Sequence, residues 1–209
     1  MKILQISSAR GFGGGERQLL SLTRGLRERG HEVHVALDPD SPLGRALTRD
    51  AAAVPCLRAD GLNVTAVRNL ARFVRERGVE VVHAHTGYDY PRAAAAVRLS
   101  RSRARLVLTR HVLFPMSRIN RITLADASRV IAVSEAVARA LRARRIFPDE
   151  KIRVVHNGVD FEAWARARAR TRPRRDETLR VGIIGELSEV KGQADFVRAA
   201  ALVVRRSTR

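Results

Sequence analysis

The sequence predicts an α/β fold, a doubly wound parallel sheet of Rossmann-like character followed by an incomplete second α/β domain. Short apolar, β-branched runs alternate along the chain with segments of helical periodicity. Several of those runs are apolar at every position, as strands covered on both faces are. A glycine-rich turn between the first run and the first helical segment marks where a ligand sits in such a fold. Hydrophobic residues make up 45% of the 209, too many for a disordered chain. The length provides for one large core, or for one complete domain and part of another.

The first strand is Ile3–Ile6, and the start Met1-Lys2-Ile3-Leu4-Gln5-Ile6 lacks a signal-peptide pattern. In Glu16–Arg29, Leu19, Leu22 and Leu26 fall at i, i+3 and i+7, and Gly30 follows as a stop. Glu32–Leu37 is the second strand, and Ala53–Leu57 is a weaker edge candidate. The helical segment Val64–Arg77 repeats the spacing with Val67, Leu70 and Val74 and ends at Gly78. Four more strands follow: Val79–Ala84, Leu106–Thr109, Arg129–Val133 and Ile152–Val155. In a sheet of this kind the ligand crevice lies beyond the carboxyl ends of the strands.

The character changes after Asn157-Gly158-Val159-Asp160. Trp164 to Arg175 reads WARARARTRPRR, a solvated basic linker, partly helical before Pro173, rather than a nucleic-acid arm. A strand Leu179–Ile184, a glycine-containing turn and a helix from about Gly192 to Arg206 then open a second α/β unit. One strand and one helix cannot bury their own apolar faces. The expected organisation is a first domain over residues 1–163, a linker over 164–178, and the first βα unit of an incomplete domain over 179–209.

Lys and Arg number 40 against 21 Asp and Glu, a formal net charge of +19 carried mostly by arginine. Arginine-rich solvated helix faces account for this as well as attraction to an anion does. Among anionic partners, a phosphorylated ligand or a membrane surface fits better than nucleic acid. Aromatics are only 4%, and no zinc-finger, helix-turn-helix or RNA-recognition signature is present. The single cysteine, Cys56, excludes an internal disulfide and favours a reducing, cytoplasmic setting. No apolar run approaches the ~20 residues that cross a bilayer. The expected location is therefore the cytoplasm, with peripheral attachment to the inner face of the plasma membrane as a further expectation.

In Gly11-Phe12-Gly13-Gly14-Gly15-Glu16, glycine lets backbone approach a ligand closely, and the helix start beyond it offers free N–H groups. A tight strand-to-helix turn would use glycine too. The loop fails the dinucleotide fingerprint, because Glu16 or Gln18 stands where the last glycine belongs, and no Gly-Lys-Ser/Thr follows it. Asp38, after the second strand, is the residue a dinucleotide-binding reading would assign to a ribose, but it stands far from Gly11. His83 and His85, two apart on a strand, share a face, with no carboxylate or cysteine at ligand spacing to complete a metal site. His83 is expected near the core and His85 at the strand end. His111 follows a strand and is expected at the crevice, although a histidine simply capping a strand would sit there as well. Lys191 stands before a helix, where a point cation suits a diphosphate.

One set of segments spans nearly the whole chain. It comprises Gly13-Gly14-Gly15-Glu16, Arg29-Gly30-His31-Glu32-Val33, Val81-Val82-His83-Ala84-His85, Thr109-Arg110-His111 and Val130-Ile131-Ala132-Val133-Ser134. It ends with His156-Asn157-Gly158-Val159-Asp160 and Gly185-Glu186-Leu187-Ser188-Glu189-Val190-Lys191-Gly192. In order and spacing the set resembles the retaining GT-B glycosyltransferases of family 4. The resemblance implies transfer of a sugar from a nucleotide-diphosphate donor to a cell-envelope glycan or lipid acceptor, with retention and without metal or cofactor. It implies His111 as the catalytic residue, bonded to donor sugar or phosphate. Donor contacts fall to Gly14, Gly15, Gly185 and Lys191, and acceptor contacts to Glu16, Arg17, His85 and Arg110. Where the family pattern has arginine this chain has Glu186, which repels a diphosphate, and the family's later pair of glutamates is not found among the 209 residues. The 209 residues alone are thus expected not to turn over. A non-catalytic module binding acceptor or membrane is the alternative.

Overall fold

A computed structural model describes residues 1–49, 64–159, 161–169 and 180–207. The chain divides into two compact units, Met1–Val159 and Asp160–Arg209. In the first unit the strands are β1 (Lys2–Ile6), β2 (Glu32–Ala36), β3 (Val81–Ala84), β4 (Arg105–Arg110), β5 (Ala127–Ala132) and β6 (Ile152–Val154). They pair in parallel throughout, in the order β2-β1-β3-β4-β5-β6. The helices are α1 (Gly14–Glu28), α2 (Pro42–Arg49), α3 (Val64–Glu76), α4 (Asp89–Ser100), α5 (Asn120–Thr123) and α6 (Glu135–Arg144). Gly30 and Gly78 end α1 and α3 with φ of +77° and +63°, a conformation that glycine adopts without steric cost. The edge candidate Ala53–Leu57 lies outside the described residues.

The strand order reverses between β1 and β3. The chain leaves β1 for β2 on one side and leaves β3 for β4 on the other, which opens a crevice at their carboxyl ends. The two faces of the sheet differ. On one, Leu4, Ile6, Val82, Ala84, Leu106, Leu108, Val130 and Ile152 join residues of α3, α4 and α6 in the main core. On the other, α1 and α2 bury Leu19, Leu43 and Leu47 against Val35 and Leu37 of β2 and its end. This second face turns polar across the sheet: Val35, Gln5, His83, Val107 and Arg129 stand in register from β2 to β5. Arg129 is exposed, so β5 is covered on one face only, unlike the strands nearer β1.

The turn before α2 is tight. Ser41 Oγ donates to Asp38 O (2.6 Å) and accepts from Gly44 N (3.0 Å). A Cβ on Gly44 would lie 2.5 Å from Pro39 O and 2.6 Å from Asp38 O, both backbone atoms that cannot swing away. Gly44→Ala is expected to cost ~1–3 kcal/mol, read as a lowered midpoint in denaturant unfolding.

In the second unit, α7 (Phe161–Ala169) makes the start of the basic stretch helical, and α8 (Gln193–Ser207) is the last helix. The expected strand Leu179–Ile184 is corrected: residues 180–184 form no strand, and Ile184 is fully exposed. A strand exists only as part of a ladder, and among the described residues no sheet ladder includes this segment. Val197, Leu202, Val203 and Val204 of α8 are exposed as well. No described helix is long and apolar enough to cross a membrane.

Candidate functional site at the carboxyl ends of the strands

The glycine turn leads from β1 into α1. Among the described residues only Gly30, Gly78 and Gly192 are glycines with positive φ, so no backbone strain requires glycine at positions 11 to 15. A Cβ on Gly11 or Gly14 would meet nothing within 4 Å. Glu16 reaches back to accept from Gly13 N (2.7 Å), which satisfies one donor of the helix start. Arg17 is exposed, with its guanidinium 5.2 Å from the centre of the Phe12 ring. Gly15 faces inward, and its Cβ position lies 3.8 Å from the His111 ring.

Three imidazoles run from the core to this turn. His83 and His85 have ring centres 4.1 Å apart, and His85 and His111 stack at 6.0 Å. His83 Nε2 meets Thr109 Oγ1 at 2.7 Å, and His85 Nε2 meets Gln5 Oε1 at 2.9 Å. Burial pushes the His83 imidazole down to about 4, with the neighbouring His111 acting in the same direction. Burial, then His83 and His111, holds His85 well below the ordinary histidine value. His111 is lowered too, by burial first; Glu16 opposes the shift and Arg110 adds to it. The row is therefore neutral at pH 7. His83 lies near the core as expected. His85 is only 5% exposed and reaches the crevice through the stacked His111 ring. Both ring nitrogens of His111 are buried without a protein partner, so its hydrogen-bonding capacity is unspent. Among the described residues no three His, Cys, Asp or Glu side chains converge as metal ligands do.

Arg110 ends β4 on the opposite face from His111 and is 8% exposed. Its Nη2 donates to Phe114 O and fixes the following loop. That loop and α6 wall a cavity of 280 Å³, lined by Arg110, Val112, Leu113, Phe114, Val137 and Leu141 among others. Beside it Tyr90 OH donates to Thr109 O (2.7 Å), and burial pushes this phenol up to about 12. Gly185 and Lys191 belong to the second unit, where a Cβ on Gly185 would lie 3.8 Å from Lys191 Cγ. Lys191 and Glu186 are exposed, and Glu186 O accepts from Gln193 Nε2 (2.7 Å).

Sequence reasoning missed Gln5, Thr23 and Asp89. Asp89 is fully buried and accepts from Ser8 N (2.8 Å) and Thr86 Oγ1 (2.5 Å), tying the end of β1 to the start of α4. Gln5 was detectable as the polar residue inside an apolar strand, in line with the two histidines of His83-Ala84-His85. Nothing in the local pattern distinguishes Asp89 or Thr23.

Residues 12–163 match the family described as Glycosyltransferase Family 4. No curated protein matches the chain in sequence. Among solved structures, HepE of Anabaena, determined in complex with UDP and glucose, is 23% identical with a TM-score of 0.64. The match covers 78% of this chain and 46% of that one. A glycosyltransferase from Rickettsia africae is 22% identical with a TM-score of 0.67, over 79% of this chain and 45% of that one. The lipopolysaccharide outer core galactosyltransferase WaaB is 17% identical with a TM-score of 0.59, over 76% and 46%. The chain thus spans less than half the length of these structures, and they share its fold, the Rossmann-like domain of GT-B enzymes. With the family match extending over most of its residues, this chain belongs to glycosyltransferase family 4.

Proposed function

We propose that the chain is the acceptor-side part of a retaining, metal-independent glycosyltransferase, which moves a sugar from a nucleotide-diphosphate donor to a cell-envelope glycan or lipid. The observation that carries this reading is the open turn at Gly14, a glycine required neither by φ nor by any neighbour within 4 Å. It stands at the amino terminus of a 15-residue helix, where free N–H groups attract phosphate. His111, with both nitrogens unspent, lies against the next glycine and is the catalytic residue in this reading. Gly14 and Gly15 approach the donor phosphate, and Glu16, Arg17 and Arg110 border the acceptor. The 280 Å³ cavity behind Arg110 suits the apolar chain of a lipid acceptor, whose phosphate the guanidinium would meet. His85 serves by supporting His111. Within the second unit, Gly185 and Lys191 are donor contacts in this reading.

Gly14→Leu tests this. Its side chain enters open space, so thermal melting stays within a few degrees of the parent. Binding in calorimetry, against a panel of nucleotide-diphosphate sugars and a short-chain lipid phosphate, falls about tenfold or more as the crevice fills. Unchanged affinity for every ligand that the parent binds would assign the glycines to the turn alone.

Two further parts of the proposal follow from the second unit and from the charge. Residues 180–184 form no strand and Lys191 is exposed, so the 209 residues alone bind but do not turn over. The net charge of +19 gives the protein a peripheral hold on anionic membrane. Binding to vesicles with anionic lipid should weaken as salt shortens the Debye length from ~10 Å at 0.1 M to ~3 Å at 1 M. Equal binding to neutral vesicles would contradict the electrostatic part.

A further inference from the structure

Beneath α1 lies a buried polar chain that the proposed chemistry does not use directly. Thr23 is buried on the inner side of α1, and its hydroxyl donates to Leu19 O at 2.8 Å. A hydroxyl has one hydrogen, so Thr23 Oγ1 meets Gln5, 3.1 Å away, as an acceptor only. The Gln5 atom facing it must then be the amide nitrogen, which turns the Gln5 oxygen toward His85 Nε2 at 2.9 Å. That oxygen accepts, so His85 carries its proton on Nε2. The other tautomer would set two lone pairs against each other at that distance. Turning the amide over would take the Thr23 hydroxyl away from Leu19 O and move the His85 proton to Nδ1, which is buried without an acceptor, so the observed direction is the one that leaves no donor unpaired.

We propose that Gln5 and Thr23 are positioning residues for the histidine row: Thr23 orients the Gln5 amide, and the amide fixes the tautomer and plane of His85, the ring on which His111 stacks at the crevice. The functional half of this rests on the reading of His111 given above; the structural half does not. A row built only for packing would need no such sequence of matched donors and acceptors, because apolar side chains fill the same face beside β2. The consequence is directional. With Nε2 protonated, His85 Nδ1 is a bare lone pair, buried and without a partner. His111 therefore lies against a neutral ring of one defined orientation, rather than a mixture of two.

Nitrogen-15 NMR of the histidine rings in the 209-residue chain, at pH 7.5, tests this without any activity assay. The parent is expected to show His85 as a single tautomer, protonated on Nε2 and unprotonated on Nδ1. Thr23→Val removes the acceptor that orients the amide and should convert His85 to a mixture. Thr23→Ser restores the hydroxyl and should restore the single tautomer, a rescue that a pure packing defect would not produce. His85 protonated on Nδ1 in the parent overturns the proposal, and this measurement stands even where the valine variant fails to fold. A single Nε2–H form persisting in a folded Thr23→Val chain overturns it as well. In a form of the enzyme with a complete donor-side domain, Thr23→Val should lower kcat about tenfold with KM nearly unchanged, because a misplaced ring acts on the reacting geometry. Correct tautomers with unaltered kcat would leave the relay standing and remove His111 from the chemistry.

Discussion

Replacing His111 with alanine is expected to lower sugar transfer about a hundredfold or more while leaving the fold in place, in an enzyme form that includes a complete donor-side domain. Two physical effects set that asymmetry. Hydrogen bonds from a fixed imidazole to the sugar or leaving phosphate strengthen as charge develops in the transition state, so their loss falls on kcat. The structural cost is small, because neither ring nitrogen bonds to the protein. Removing two buried, unpartnered polar atoms offsets the van der Waals packing that the ring makes against Gly15 and His85. Thermal melting within a few degrees of the parent, together with the fall in kcat, is the predicted pair of results. A large drop in melting temperature with unchanged turnover would make His111 a packing residue.

The second large effect is a loss of stability in mild acid. In the folded chain His83 titrates at about 4, against an ordinary value of 6.5, and His85 is also held low. The unfolded chain therefore takes up these protons first as the pH falls. Their contribution is fully present above about pH 6.5 and is lost progressively as the pH falls to about 4. His83 alone accounts for on the order of 3 kcal/mol, a large share of the stability of a small domain. Denaturant unfolding at pH 7.5 and pH 4.5 measures it. His83→Asn, which keeps an amide for Thr109, should flatten the dependence between those two values. The same slope in parent and variant would mean that the protons bind elsewhere.

How much of this was legible in the sequence depends on the range of the interaction. The six strands of the sheet were readable because each is a local apolar run, and the helix stops were readable because Gly30 and Gly78 take φ values that other residues avoid. Local patterning also placed the glycine turn and His111 at the same end of the sheet, since both follow parallel strands. The segment 180–184 shows the limit of local patterning. It has the composition of a strand, but a strand is a pairing, and composition does not supply the partner. His85 shows a second limit. Its place at the strand end was right, yet whether it faces the ligand or hides beneath His111 depends on α1, whose Thr23 is 62 positions away in sequence. The relay through Gln5 joins residues 18 and 80 apart, and no local period encodes it.

The open helix start at Gly14 and the His111 ring are expected to form one ligand-binding place, and amide and imidazole NMR shifts on titration report on both at once. The 209-residue chain would be titrated with a panel of nucleotide-diphosphate sugars and a short-chain lipid phosphate. At least one of them is expected to move the amides of Gly13, Gly14 and Gly15 together with the His111 ring, with a single saturation curve. Ligands that saturate elsewhere on the chain, or leave these signals unmoved at every concentration reached, would contradict it.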